Sequence, residues 1–236
     1  MPHVHRFYIS ADGIHNNTRA TLSDQEAHHA LHVVRLRVGD SAALFDGAGR
    51  EWQAVVESAA RHTVELRITE AREISQPTAC VTLYQASLHR EKAVEELVRH
   101  AAELGVARVV FFRSEHSGRA PKLSDKWRRI AIEACKQSGR LWLPHFDVAA
   151  SLDEAIAMAG GVRLVATRDI PPVPLRTALT AREVSVFIGP EGDFSATELE
   201  QLLAANAIPI SLGEATYRAE VAATLAVAFI GYELEM

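Results

Sequence analysis

The sequence predicts an α/β protein in two parts: a small β-barrel over residues 1–72, then a mostly parallel, helix-covered sheet over residues 73–236. Three observations carry this expectation. Residues 1–72 hold short strand-like runs with a single helical pattern, whereas from residue 79 onward apolar strand-like runs alternate with amphipathic helical ones, the order that builds a parallel sheet covered on both faces. Between them, residues 72–78 (Arg-Glu-Ile-Ser-Gln-Pro-Thr) have the polarity and the proline of a linker. Finally, residues 184–198 pass from an apolar run through Gly189-Pro190-Glu191-Gly192 into a helical pattern, which reads as strand, tight loop and helix.

In the first part, strands are expected over residues 4–10, 42–46, 52–57 and 63–69, the last alternating apolar and polar as a half-buried strand does. Asp46-Gly47-Ala48-Gly49 supplies a hairpin turn. Ser23-Asp24-Gln25-Glu26 reads as a capping box, and Ala27, Ala30, Leu31 and Val34 mark the short amphipathic helix behind it. Six of the eleven histidines fall in the first forty residues, and His28, His29 and His32 raise the question of zinc. No His-Glu-x-x-His and no cysteine partner accompanies them, so no metal site is expected.

In the second part the reading is strand 79–86, helix 91–104, strand 108–112, a polar loop, and helix 125–139. Ala93/Val94, Leu97/Val98 and Ala101/Ala102 recur every four residues in the first helix, and Glu95 stands one turn from Arg99. Strands 162–167, 184–188 and 208–212 follow, with helices near 152–159, 196–206 and 219–232. Ser151-x-x-Glu154 caps one of these helices, and Ser195-x-x-Glu198 is a capping box for another. Val184, Val186, Phe187 and Ile188 suit a strand buried on both faces. Behind it, Gly189 and Gly192 permit close approach to the backbone, and Pro190 donates no N–H. That loop lies at the carboxyl end of a strand, where open sheets place ligands. Neither a P-loop nor a Gly-x-Gly-x-x-Gly pattern is present.

A chain of 236 residues can bury roughly 70 to 75% of its unfolded surface, and 48% hydrophobic with 23% charged residues is a globular composition. No run approaches the length of a membrane span, and residues 1–7 lack the apolar core of a signal peptide, so a cytoplasmic protein without a membrane partner is expected. Cys80 and Cys135 form no Cys-x-x-Cys spacing and read as reduced core thiols. The net charge of −5 excludes a uniformly basic nucleic-acid binder, but charge is uneven. Residues 119–140 carry seven Lys/Arg against two acids, and residues 141–236 five against thirteen. With Trp127 and Gln137 inside it, the basic segment is a candidate RNA contact as well as a solvated helix face.

A second stretch, Ile208-Pro-Ile-Ser-Leu-Gly-Glu-Ala-Thr-Tyr-Arg-Ala-Glu-Val-Ala-Ala223, repeats the pattern of strand, Gly-containing loop and helix. Together with Ile188-Gly-Pro-Glu-Gly192-Asp-Phe-Ser195, it resembles the signature of the SPOUT methyltransferases. Within that superfamily it is similar to the RsmE type, 16S rRNA uracil-N3 methyltransferases whose loops read Ile-Gly-Pro-Glu-Gly-Gly-Phe-Ser and Leu-Gly-x-x-Ile-Leu-Arg-x-Glu-Thr-Ala. Glu103-Leu-Gly-Val106, Ile132-Glu-Ala-Cys-Lys-Gln-Ser-Gly-Arg140 with Pro144, and Val33–Asp40 with Phe45-Asp-Gly47 extend the resemblance over nearly the whole chain.

The resemblance implies a PUA-like RNA-binding domain over residues 1–72 and a SPOUT methyltransferase domain over 73–236 with a trefoil knot. It further implies S-adenosylmethionine as cofactor, a homodimer, and 16S rRNA of the small ribosomal subunit as partner, methylated at N3 of uridine 1498 in the family's rRNA numbering. Carried over residue by residue, the cofactor would meet Thr167, Ile188, Gly189, Pro190, Glu191, Gly192, Leu212, Gly213, Tyr217 and Ala222. Arg218 would stabilise charge on the uracil oxygens, and Glu220 would accept the N3 proton or else serve only in a surface ion pair. Arg6, Arg35, Lys136 and Arg140 would contact RNA. The sequence departs from the family at His100, His116, Asp193, Tyr217 and Val221. Two alternatives therefore stand beside the enzyme: a non-catalytic RNA-binding or ribosome-assembly protein on the same fold, and a SPOUT methyltransferase with another RNA target.

Overall fold

The computed structural model describes residues 4–236; residues 1–3, which open the segment weighed above as a leader, lie outside the described residues. The chain divides into two compact units. The first comprises the described residues through Gln76 together with Cys135–Leu143, and the second comprises Pro77–Ala134 and Pro144–Met236.

In the first unit β1 (His5–Tyr8), β2 (Ile14–His15), β3 (Arg19–Ser23), β4 (Ser41–Phe45), β5 (Arg50–Ala59) and β6 (Thr63–Glu73) form one sheet in the order β1-β4-β5-β6-β3-β2. Only β1 and β4 run parallel; the other pairs are antiparallel. Every strand from β3 to β6 contributes alternate residues to one core, among them Leu22, Leu44, Val56 and Leu66, which Phe7 of β1 joins. No ladder among the described residues joins β1 to β2, so the expected barrel is a sheet around one core with two unjoined edges. The β2/β3 hairpin was not expected; its turn uses Asn16 and Asn17 at φ 51° and 55°, the left-handed pair of a type I′ turn. β6 also runs on to Glu73, into the expected linker.

The helix after β3 departs from its sequence signal. α1 (Asp24–His28) begins with Asp24 at φ 49°, and the Ser23 hydroxyl meets Asp24 Oδ2 at 3.3 Å instead of the amide of residue 26, so no capping box forms. A π-helical turn over His29–Val34 continues it and ends at Arg35 in the left-handed region. The segment Cys135–Leu143 belongs to this unit because Gly49 N donates to the Leu141 carbonyl and Leu143 N to the Gly47 carbonyl, each at 3.0 Å.

The second unit holds β7 (Cys80–Ala86), α2 (Glu91–Leu104), β8 (Arg108–Phe112), the first turns of α3 (Asp125–Ser138), β9 (His145–Ala149), α4 (Leu152–Met158), β10 (Val162–Ala166), α5 (Leu175–Ala178), β11 (Glu183–Ile188), α6 (Ala196–Ala204), β12 (Ile208–Ile210) and α7 (Ala219–Leu234). The strands lie in the order β12-β10-β11-β7-β8-β9, and every pair is parallel. Val81, Leu83, Val109, Phe111, Val184 and Val186 face α2 and α7, whereas Tyr84, Val110, Phe112 and Phe187 face α4 and α6. This is the two-sided burial expected of a parallel sheet. After the edge strand β12 the chain returns, and α7 packs on α2 and on β7 and β11. The strand β9 and the one-turn α5 were not anticipated.

Candidate active site

The carboxyl ends of β10, β11 and β12, with Arg90 from the turn between β7 and α2, surround a cleft of about 720 Å³, within the size range of small-molecule sites. Every residue assigned above to the cofactor lines it: Thr167 after β10, Ile188 to Gly192 after β11, Leu212, Gly213 and Tyr217 after β12, and Ala222 in α7. So do Arg218 and Glu220. Arg90 and Arg168, which the sequence reading did not single out, line it too.

The loop after β11 is held on several sides. Gln85, wholly buried at the end of β7, donates from Nε2 to the Gly189 carbonyl at 3.0 Å. A Cβ on Gly189 would stand 2.9 Å from Asp193 Oδ1 and 3.1 Å from the Phe194 nitrogen, so the turn closes only around glycine. Asp193 adopts φ 60°, and its Oδ1 accepts from Phe194 N at 2.8 Å. Ser195 and Glu198 then form the expected capping box at the start of α6, and the buried Glu198 also accepts from Glu115 N at 2.8 Å.

Two histidines clasp the outer side of this loop. His116 Nδ1 donates to the carbonyls of Asp193 at 2.9 Å and Gly192 at 3.1 Å. The Asp193 carbonyl pushes this imidazole above its ordinary value against some loss of solvent; the Gly192 carbonyl and the charges of Glu115 and Glu198 act in the same direction. His89 gives its backbone N–H to Glu191 Oε1 at 2.9 Å and its ring Nδ1 to Oε2 at 3.0 Å, so both oxygens of Glu191 are engaged. Burial pushes the Glu191 carboxyl up, but the hydrogen bonds from His89 outweigh it and hold the group below the usual carboxylate range.

The loop after β12 turns on Gly213, at φ 114°, whose N–H donates to Ser211 Oγ at 3.1 Å. Arg168 reaches across to Thr216. Arg218 is the residue before α7, with φ −63° and ψ 151°; its guanidinium is exposed and bonds to no described residue. Glu220 is not a surface residue, because it is only 5% exposed. Its Oε1 accepts from Arg90 Nη2 at 2.7 Å, and its Oε2 is buried without a partner. Arg90 went unnoticed in the sequence because nothing around Leu88-His89-Arg90 marks it apart from its place just past a strand.

Small residues shape this cleft for a nucleoside-sized ligand: glycines at 189, 192 and 213 and alanines at 166 and 222 put no bulky side chain into it. The orphaned Glu220 oxygen adds an acceptor for a donor group.

The expected RNA contacts fare differently. Arg35 is exposed and Arg140 partly so. Arg6 pairs through Nη2 with Glu51 Oε1 at 2.7 Å, and the buried Glu51 also takes Arg72. Lys136 is the least accessible of the four: its side chain is 6% exposed, and its Nζ lies 3.1 Å from Glu26 Oε1 and 2.9 Å from His29 Nδ1, over the Phe7 ring. It is a structural cation that cannot reach a phosphate without breaking this cluster. Trp127, likewise weighed for RNA, packs in the core with its ring tilted 40° to that of Phe111 and the centroids 4.6 Å apart. Among the described residues there is no group of three or more His, Cys, Asp or Glu placed to hold a metal, and no helix long and apolar enough to cross a membrane.

Comparison with known proteins agrees with this geometry. Residues 74–231 match the RNA methyltransferase domain family, and residues 22–69 match the RNA methyltransferase PUA domain family. The ribosomal RNA small subunit methyltransferase E of Synechocystis is 29% identical over 98% of this chain and 78% of its own length, and that of Aquifex aeolicus is 30% identical over 74% and 78%. The crystal structure of the Neisseria gonorrhoeae enzyme of the same name, bound to S-adenosyl methionine, superposes with a TM-score of 0.83 at 26% identity, covering 98% of both chains.

Proposed function

Since the chain belongs to the RNA methyltransferase family, of the small-subunit methyltransferase E type, we propose that it methylates N3 of a uridine in 16S rRNA with S-adenosylmethionine, acting as a cytoplasmic homodimer. The observation that carries this reading is the cleft beyond the ends of β10, β11 and β12, lined by every residue assigned above to the cofactor together with Arg218 and Glu220. When bound, the cofactor supplies an electrophilic methyl group on a sulfonium. The chain's own residues do the rest. Main-chain groups of Gly189, Gly192 and Gly213 address the adenine edge without side chains in the way, and Glu191, tied to His89, fixes the loop. Uracil N3 is a poor nucleophile until its proton leaves. Glu220 takes that proton, and the exposed guanidinium of Arg218 stabilises the charge that develops on the uracil oxygens.

Residues 1–72 are assigned as the PUA-like RNA-binding domain and residues 73–236 as the catalytic domain, with Arg6 and Arg35 of the former and Arg140 of the latter as phosphate contacts. The return of α7 onto β7 and β11 supports the trefoil knot of the family. Val221, Phe229 and Tyr232 of α7 are 41%, 42% and 83% exposed, and this apolar face supports a dimer. Light scattering at micromolar concentration giving a mass of 25.8 kDa, that of one chain, would refute it. The departures at Asp193 and Val221 leave the cleft intact, which argues against a non-catalytic scaffold.

The test is nucleoside mass spectrometry of 16S rRNA from cells with and without the gene, with reconstitution by the purified protein. The expected result is 3-methyluridine lost and restored. A different methylated nucleoside would redirect the substrate assignment, and none would refute the activity. Calorimetry with S-adenosylhomocysteine should give one site per chain, insensitive to EDTA.

A further inference from the structure

We propose that Arg90 is a positioning residue of the methyl transfer: it grips the Glu220 carboxylate through one oxygen so that the other is held in the cleft as the acceptor of the substrate proton. The inference rests on the reading of the cleft as a methyltransferase site. Arg90 is suited to the task because its backbone is pinned: it is the residue before α2, and its carbonyl accepts from Ala93 N at 3.0 Å and Val94 N at 3.3 Å. From there Nη2 meets Glu220 Oε1 at 2.7 Å. Glu220 is steadied from behind as well, since its carbonyl accepts from Thr224 Oγ1 at 2.8 Å and Thr224 is in turn bonded to His100 Nδ1 at 3.1 Å.

The remaining oxygen is what makes the arrangement functional. A buried acceptor without a partner is uncommon in folded proteins and costs stability, more so when it is charged. Glu220 Oε2 is such an atom, and it belongs to a residue of the cleft wall in the first turn of α7, where the helix end favours an anion. The other carboxylates lining the cleft are committed elsewhere. Both oxygens of Glu191 accept from His89, and Asp193 is exposed with Oδ1 bonded to Phe194 N. In the step proposed, the N3–H bond breaks and its proton passes to Glu220 Oε2. The electron pair left on N3 forms the N–CH3 bond, and the methyl–sulfur bond breaks with its pair staying on sulfur, which becomes a neutral thioether.

The test is a double-mutant cycle of Arg90→Met and Glu220→Gln, with Arg90→Lys as the conservative variant, read as single-turnover methylation of small-subunit RNA. S-adenosylhomocysteine affinity and thermal midpoint are measured on each protein. Arg90→Met should slow transfer about 10²-fold, the order expected when a reacting group is misplaced by an ångström, with KM for RNA and ligand affinity unchanged. Arg90→Lys should recover part of the rate, because one ammonium can reproduce a single contact. The double variant should be no slower than Glu220→Gln alone. It also carries no unpaired buried charge, so it keeps the test valid even if Arg90→Met is poorly folded. Multiplicative losses, a wild-type rate for Arg90→Met, or a loss explained by ligand affinity would overturn the proposal. If wild-type protein methylates a different nucleoside, the cycle is read on that product and only the substrate assignment fails; no methylated nucleoside overturns both.

Discussion

Replacing Arg218 by alanine should separate methyl transfer from both folding and cofactor binding. The side chain caps nothing: it is the Arg218 carbonyl that accepts from Val221 N at 2.9 Å and Ala222 N at 2.8 Å, and both bonds survive truncation. With the guanidinium exposed and bonded to no described residue, the loss of fold stability should stay within a few tenths of a kcal/mol, since neither residue is a good N-cap. The work assigned to the guanidinium is on charge that appears only as N3 loses its proton, and removing one such donor costs on the order of 10² to 10³ in rate, about 2.7 to 4 kcal/mol. Arg218→Lys should recover little, because an ammonium cannot reproduce a planar fork. The assay is single-turnover transfer of labelled methyl to small-subunit RNA, alongside S-adenosylhomocysteine calorimetry and thermal unfolding of each variant. Turnover near wild type, or a loss of cofactor affinity matching the loss of rate, would remove Arg218 from the catalytic group.

Three further outcomes are expected. Lys136→Met leaves Glu26 without its buried cation and should destabilise the protein by on the order of 3 kcal/mol; a variant of unchanged stability that binds RNA less well would restore Lys136 as an RNA contact. Gly213→Ala forces a side chain into φ 114° while its Cβ meets nothing nearer than the Tyr217 hydroxyl at 3.8 Å, so backbone strain of about 1–3 kcal/mol should appear as roughly 5- to 150-fold weaker S-adenosylhomocysteine binding. His116 is raised in the folded protein, so its contribution is full below the ordinary histidine value of about 6.5 and is lost as pH rises through the higher folded value, whereas that of the lowered Glu191 is lost on acidification. The melting temperature of wild type should therefore fall relative to His116→Gln as pH climbs above that range, and parallel curves would show that the clasp contributes nothing.

Much of this was legible in sequence because it is a matter of period and punctuation. The runs at Val184–Ile188 and Cys80–Ala86 are apolar on both faces, and Ser195-x-x-Glu198 is a local device whose partners lie three residues apart. Local signals failed where a long-range contact competed. Ser23-x-x-Glu26 has the same spelling as the box that forms at Ser195, yet Glu26 is drawn to Lys136, more than a hundred residues away, and to the Tyr8 amide. β9 was missed because His145-Phe146-Asp147-Val148-Ala149 is a sheet edge whose Asp147 is matched to Arg108 Nε at 2.6 Å, a pairing without sequence spacing. Arg90 was invisible for the same reason: its partner is Glu220, 130 residues on.

The departures at positions 116 and 193 are better understood together than singly. A left-handed residue at 193 is met most cheaply by glycine; aspartate tolerates it because its short side chain can bond locally, here to the Phe194 amide at 2.8 Å. The same conformation turns the Gly192 and Asp193 carbonyls toward His116, whose Nδ1 donates to both. A Cβ on Gly192 would stand 3.1 Å from the His116 Cβ, so the histidine also leaves little room there for anything but glycine. In this chain the shape of the loop is therefore held by Asp193 and His116 acting together. That is why the glycines at 189 and 192 read clearly as a motif, and why Gln85, His89 and His116, which hold it from more than seventy residues away in the chain, did not.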